Sequence, residues 1–357
     1  MTLLKRSPGA LALLMLAAWA LPAPAARAQT TPTTDPADGG RDVSKRGLTA
    51  ASFLSLPVGA RATGMGGALV ASVNDASAIY WNPSGLAGLR SGTFAAEYAQ
   101  WFDGIDFNHV AVALPIAGGT VGAAVTAVRV GDMEETTVEQ PDGTGEQFDA
   151  AMYAFSLSYA RQLTDRFSIG GTGKFINERY SASSANGFAV DIGTTFVTPL
   201  QGIRLGASIS NFGSKMQIAG ADLRTRVDAD PVNSGNGTGG TAQFETDEFD
   251  LPLTMRIGLA GEVYRAGGNR ITLALDGLSP NNAQQYLNAG AEVSLLNDLV
   301  MLRGGYSELL LKDAVHGFTF GGGLRYGFGD LRLALDYAYE QSRWLDNVNR
   351  FTVAVGF

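Results

Sequence analysis

Four kinds of residue in this chain invite a chemical reading, and each stops short of a reactive site. Gly64-Met65-Gly66-Gly67 has the glycine density of a phosphate-cradling loop. No strand pattern precedes it, however, and no Gly-Lys-Ser/Thr or spaced acidic residue completes it. The two histidines, His109 and His316, show no His-x-x-x-His spacing and cysteine is absent, so a nitrogen–sulfur metal shell has no basis. No Gly-x-Ser-x-Gly elbow presents a serine nucleophile. The acidic runs Asp132-Glu134-Glu135 and Asp247-Glu248-Asp250 lack calcium-loop spacing and read as solvated loop surface. No catalytic residue, metal ligand or cofactor site is assigned, and no enzyme is expected.

What remains is charge laid out with a period of two. In Leu331-Arg332-Leu333-Ala334-Leu335-Asp336-Tyr337-Ala338-Tyr339, large apolar or aromatic residues alternate with small or charged ones. Asn349 to Phe357 repeats the pattern and ends on an aromatic residue. Successive strand side chains point to opposite faces, so each segment has one apolar and one polar face. A length of roughly nine to ten residues with Tyr or Phe near the ends suits a tilted bilayer-spanning strand.

The same pattern recurs from Thr93–Trp101 to Arg350–Phe357 and gives about 14 strands, the even number a closed single-chain barrel requires. The gaps alternate between short (Gln162–Arg166, Gly327–Asp330) and longer (Arg129–Met152, Asn177–Gly187, Phe212–Pro252), with the short Phe102–Asp106 an exception in the longer set. Val110 to Val128 is uncharged and long enough for a helix, but Pro115, Gly118, Gly119 and Gly122 favour a hairpin. The expected fold is an all-β membrane protein, an antiparallel outer-membrane β-barrel closed by strands.

By strand parity, residues such as Phe94, Leu157, Ile257, Leu335 and Phe351 face lipid. Glu97, His109, Lys174, Asp191, Arg204, Arg256, Glu262, Asp276, Glu292, Arg303, Arg325, Arg332, Asp336 and Arg350 face the lumen. The sorting has a physical cause, because Arg or Lys facing mid-bilayer lipid costs ~2–4 kcal/mol. Both signs occur inside, which points to ion pairs between the wall and whatever fills the lumen rather than to a ligand site.

The start of the chain sets the compartment. Lys5 and Arg6 precede an apolar run from Ala10 to Leu21, and Ala26-Arg27-Ala28 offers a cleavage site, so residues 1–28 read as a secretory signal peptide. The net charge of −8 becomes −11 when Lys5, Arg6 and Arg27 are removed. An acidic chain without a basic stripe is not built for nucleic acid. Residues 29–46 are Thr-, Pro-, Asp- and Gly-rich and read as a flexible periplasmic leader.

Residues 47–91 carry the glycine stretch, read physically as short helices and tight turns packed closely against other backbone. Gly59, Arg61, Gly64, Met65, Gly66, Gly67, Asp75, Ala78, Tyr80, Asn82, Pro83, Gly85 and Leu86 match, position by position, a signature that resembles the PorV/PorQ family. These outer-membrane proteins are relatives of FadL-type barrels. Ser84 departs mildly, standing where the family more often has Ala. The resemblance implies an N-terminal plug segment of short helices folded into a barrel of residues 92–357. It further implies an outer-membrane location and a role with type IX secretion, with a secretion translocon, secreted cargo and outer-membrane lipid as partners. The alternative it leaves open is a FadL-like transporter of hydrophobic small molecules.

Overall fold

The computed structural model describes residues 47–101, 104–200, 202–227, 240–311 and 314–357. The expected signal peptide and leader therefore lie outside the described residues. No described helix is long and apolar enough to cross a membrane, and the span is made by strands. The first seven are β1 (Thr93–Gln100), β2 (Asp106–Ile116), β3 (Gly119–Glu134), β4 (Gln147–Thr164), β5 (Phe167–Tyr180), β6 (Ser183–Val197) and β7 (Arg204–Gly213). Three short strands follow inside one loop: β8 (Ala219–Gly220), β9 (Arg224–Val227) and β10 (Gly240–Gln243). The remainder are β11 (Thr254–Ala266), β12 (Asn269–Pro280), β13 (Tyr286–Leu295), β14 (Val300–Leu309), β15 (His316–Phe328), β16 (Leu331–Ser342) and β17 (Val348–Gly356).

Setting aside the two-residue β8, the main sheet has fourteen staves that pair antiparallel with their neighbours. β1 joins β17 with Thr93 opposite Gly356, and β5 joins β6 with Phe167 opposite Phe196, so the sheet closes on itself. Closure leaves no unpaired edge, which is what a sheet surrounded by lipid needs. The faces sort as the alternation requires: Leu157 is 72% exposed and Ile257 60%, whereas Asp191, Asp276 and Arg350 are fully buried.

One end of the ring carries tight turns, such as 117–118, 165–166, 267–268 and 329–330. The other carries the loops 135–146, 214–253, 281–285 and 310–315. One expected loop is absent: where the sequence suggests Asn177–Gly187, β5 and β6 run on to a turn at 181–182. There Ser181 takes φ 52°, and Arg179 reaches across to Asp149 on β4. The staves continue beyond the lipid band on this side, where a polar outer face no longer betrays a strand.

Residues 47–92 thread the lumen from end to end. Ala50 N–H donates to Asp250 O at 3.0 Å, and Asn282 Nδ2 donates to Thr49 Oγ1 at 3.2 Å, both in loops of the long-loop end. At the opposite end Gly92 O accepts from Phe357 N–H at 2.9 Å. Between these lie a 3-10 turn (Ser52–Ser55), a short helix (Ala60–Gly64), a helical turn (Ala78–Trp81) and a second 3-10 turn (Pro83–Gly88). The last starts on Pro83, whose fixed φ suits a first helical position, and Asn82 caps it by accepting from Ser84 N–H. The Ala60–Gly64 helix packs on β14–β17 and the Pro83–Gly88 turn on β3–β6, nearly opposite in the ring. The buried core is the shell between this segment and the small inward residues of the staves, among them Ala99, Ala111, Ala124, Ala154 and Ala274.

Candidate functional site: the interface between the N-terminal segment and the barrel wall

The structure brings the expected lumen charges and the glycine-stretch residues into one interface. Arg61 stands at its centre. Its Nε lies 3.2 Å from Glu292 Oε2 on β13, and its Nη1 lies 2.6 Å from Asn74 Oδ1 and 3.2 Å from Asp75 Oδ2. Glu292, buried to 2%, also accepts from Arg303 Nε at 2.8 Å, and Arg303 Nη1 continues to Asp336 Oδ1 at 2.6 Å. A chain of alternating charge thus ties the segment to β13, β14 and β16. Removing one member would leave its neighbours buried with only part of their counter-charge, a costly change for internal ion pairs.

Other inward carboxylates grip the segment by its backbone. Glu97 accepts from Gly59 N–H at 2.6 Å while paired to Arg350 at 3.0 Å. Asp276 accepts from Val70 N–H at 2.9 Å. Lys174, ion-paired with Asp191 Oδ2 at 2.6 Å and donating to Asn211 Oδ1 at 2.8 Å, holds the wall itself together. Arg256 stacks its guanidinium over the rings of Tyr80 and Trp81, 5.6 Å from each centroid, and donates to Ser210 Oγ at 2.8 Å. Tyr80 and Trp81 meet edge to face at 5.0 Å, and Trp81 Nε1 donates to Val58 O at 2.7 Å.

Asn82 is the polar counterpart of this aromatic pair. Its amide donates to Val70 O at 2.9 Å and to Thr194 O at 3.0 Å, while its carbonyl oxygen accepts from Ser84 Oγ at 2.7 Å. Ser84 lies 2.7 Å from Thr195 Oγ1, so the residue that departs from the family pattern adds a hydroxyl contact to the wall.

The glycines act through proximity. Gly66 has φ +65°, and a Cβ there would lie 2.7 Å from Tyr306 N, so both conformation and space require glycine. On the wall side, a Cβ on Gly305 would strike Met65 and Gly66 backbone, and one on Gly206 would lie 2.7 Å from Ala71 Cα. Gly64 meets Gly321 of the wall in the same way, while Gly85 is pressed against Val73 O within the segment itself. Backbone therefore packs on backbone across the interface.

Not every expected lumen charge joins. Arg204, Glu262 and Arg325 are half-buried and Arg332 is exposed, all toward the tight-turn end; Glu262 pairs with Arg265 on its own strand. His109 is buried, 2.9 Å from Thr126 Oγ1, beside a cavity of ≈ 10 Å³ that it lines with Tyr80, Phe53 and Lys174. That is room for about one water. Two inward acids escaped the sequence reading. Glu178 is buried near the end of β5, and Glu340 lies 3.3 Å from His316 Nδ1. Both fall where the sequence suggests loops, although Glu340 keeps the parity of Asp336.

A family model described as "Type IX secretion system protein PorV" matches residues 41–248. No curated protein matches the sequence. Among solved structures, a CymD monoaromatic hydrocarbon channel superposes with TM-score 0.54 at 11% identity, covering 84% of this chain and 96% of that one. The Pseudomonas putida toluene transporter TodX gives 0.53 at 13% identity, covering 84% and 97%. A Pseudomonas aeruginosa FadL homologue gives 0.52 at 12% identity, covering 85% and 98%. At such identities the likeness is one of fold.

Proposed function

The chain belongs to the PorV family of type IX secretion system proteins, and from that premise we propose that it is a non-enzymatic outer-membrane barrel that receives secreted proteins or retains them at the cell surface. The observation that carries this reading is the ion-paired, glycine-packed interface described above. Arg61, Glu292, Arg303 and Asp336 bind the N-terminal segment to three staves, and the cavity beside Tyr80 has room for about one water. A lumen filled in this way is a seal. Recognition then falls to the surface at the long-loop end, where loops 135–146 and 214–253 stand on a rigid ring.

The fold is shared with transporters of hydrophobic small molecules, which supplies the second reading. An apolar solute crossing this lumen would have to displace buried charges, not slide along an apolar wall. The test is a deletion strain together with capture of tagged protein from solubilised outer membrane. Secretion predicts that a translocon component or secreted cargo co-purifies and that secreted proteins fail to reach the surface. Transport predicts normal secretion with lost uptake of an apolar compound, and that outcome would overturn the proposal.

A further inference from the structure

The tight-turn end of the lumen holds more guanidinium than its carboxylates neutralise. We propose that this vestibule binds a phosphate-type oxyanion, held by Arg204 and Arg325 beneath Arg61. The site lies at the mouth opposite the long loops, so it stands apart from the secretion reading.

Arg204 opens β7 and Arg325 stands three residues before the end of β15, five staves apart in the ring. Both are half-buried on the inner face, while their neighbours Leu205 and Leu324 are exposed on the outer one. Each lies within electrostatic reach of Arg61 and of Glu292, so the two guanidiniums converge from separate walls on the same ion pair. The other acids in reach are already taken. Glu262, near Arg204, is paired with Arg265; Asp336 and Asp75, near Arg325, are held by Arg303 and Arg61. Among the described residues neither Arg204 nor Arg325 forms an ion pair, whereas Arg61, Arg270 and Arg303 all do.

The balance of charge agrees. Arg61, Arg204, Arg270, Arg303 and Arg325 bring five positive charges to the cluster. Asp75, Glu292, Asp298 and Asp336 bring four negative ones, and Glu262 and Arg265 cancel. One positive charge is left over, in a chain whose net charge is −8. Donors are in surplus too. The Arg303 side chain is fully buried, yet among the described residues its Nη2 has no hydrogen-bond partner, and neither has Arg270 Nε. A half-buried guanidinium set beside like charge is costly until an anion joins it. Guanidinium forks match the oxygens of phosphate and carboxylate alike. Phosphate is favoured here because it offers oxygens to forks arriving from two walls at once and carries the larger charge.

The test uses the detergent-solubilised full-length protein, exchanged into buffer free of phosphate and sulfate. It is titrated calorimetrically with inorganic phosphate and, separately, with glycerol phosphate; sodium chloride and sodium acetate at matched ionic strength are the controls. Wild type should give saturable heat with a phosphate and a raised unfolding midpoint. The double variant Arg204→Gln, Arg325→Gln should bind roughly tenfold more weakly or worse, since it loses charge-assisted hydrogen bonds from both walls. Without phosphate it should be at least as stable as wild type, because like-charge contacts with Arg61 are gone. Tighter binding of glycerol phosphate than of inorganic phosphate assigns a phosphorylated headgroup as the source, and the reverse order assigns free phosphate. Equal heat from chloride or acetate, or an unchanged affinity in the double variant, would overturn the proposal. So would a double variant less stable than wild type in the phosphate-free buffer, which would make the two arginines structural partners of the wall.

Discussion

Replacing Glu292 by Gln removes one charge and almost no volume, which makes it the cleanest probe of how the segment is held. Glu292 is buried to 2% and contacts Arg61 Nε at 3.2 Å and Arg303 Nε at 2.8 Å, with Arg270 Nη2 at 3.7 Å. At the effective dielectric of a partly buried site, one unit-charge contact near 4 Å is worth ~4 kcal/mol before desolvation. Breaking a buried pair by removing one partner costs ~3–5 kcal/mol, because the remaining charges stay buried. An exposed pair would cost only ~0–1 kcal/mol. The variant should therefore lose ~3–5 kcal/mol, read from denaturant unfolding of the detergent-solubilised barrel by tryptophan fluorescence. Trp81 reports on the segment directly, packed as it is against Tyr80. Arg303→Met in the same background should cost less than it does in wild type, since its main partner is already neutral. A loss for E292Q within ~0–1 kcal/mol would show that the cluster is solvated and that the segment is held by other means.

Gly305→Ala should destabilise the barrel by ~1–3 kcal/mol, because the new methyl strikes Met65 and Gly66 backbone. The neighbouring Gly304→Ala, with open space at its Cβ, should be close to neutral in the same assay. Asn82→Ala leaves Val70 O and Thr194 O without their side-chain donor in a buried site and should cost ~1–3 kcal/mol, measured by denaturant midpoint.

The barrel is written in the sequence because lipid enforces a period of two that few substitutions can blur. Phe94, Leu157, Ile257 and Phe351 stand exposed on the outer face and Glu97, Lys174, Asp276 and Arg350 buried on the inner one, as parity requires. The same signal fades where staves leave the bilayer. That is why Glu178 was expected in a loop although it sits on β5, and why Glu340 was expected beyond β16. Pairing partners were illegible for a different reason. Arg61 and Glu292 are 231 residues apart, and only the threading of the segment through a closed ring brings them together. The direction of that threading leaves no mark in composition or spacing. It emerges only from contacts at the mouths, Ala50 with Asp250 and Gly92 with Phe357.

Amide hydrogen exchange of the segment tests most directly whether it is a fixed part of the barrel. Gly59 and Val70 N–H groups are held by buried carboxylates, and Asn82 locks the following turn to β6. Peptides covering residues 58–88 should exchange as slowly as those of β11 and β12, far more slowly than loop 135–146. Exchange of residues 58–88 at the rate of that loop, with the staves still protected, would show a segment that leaves the lumen and would contradict the sealed-barrel account.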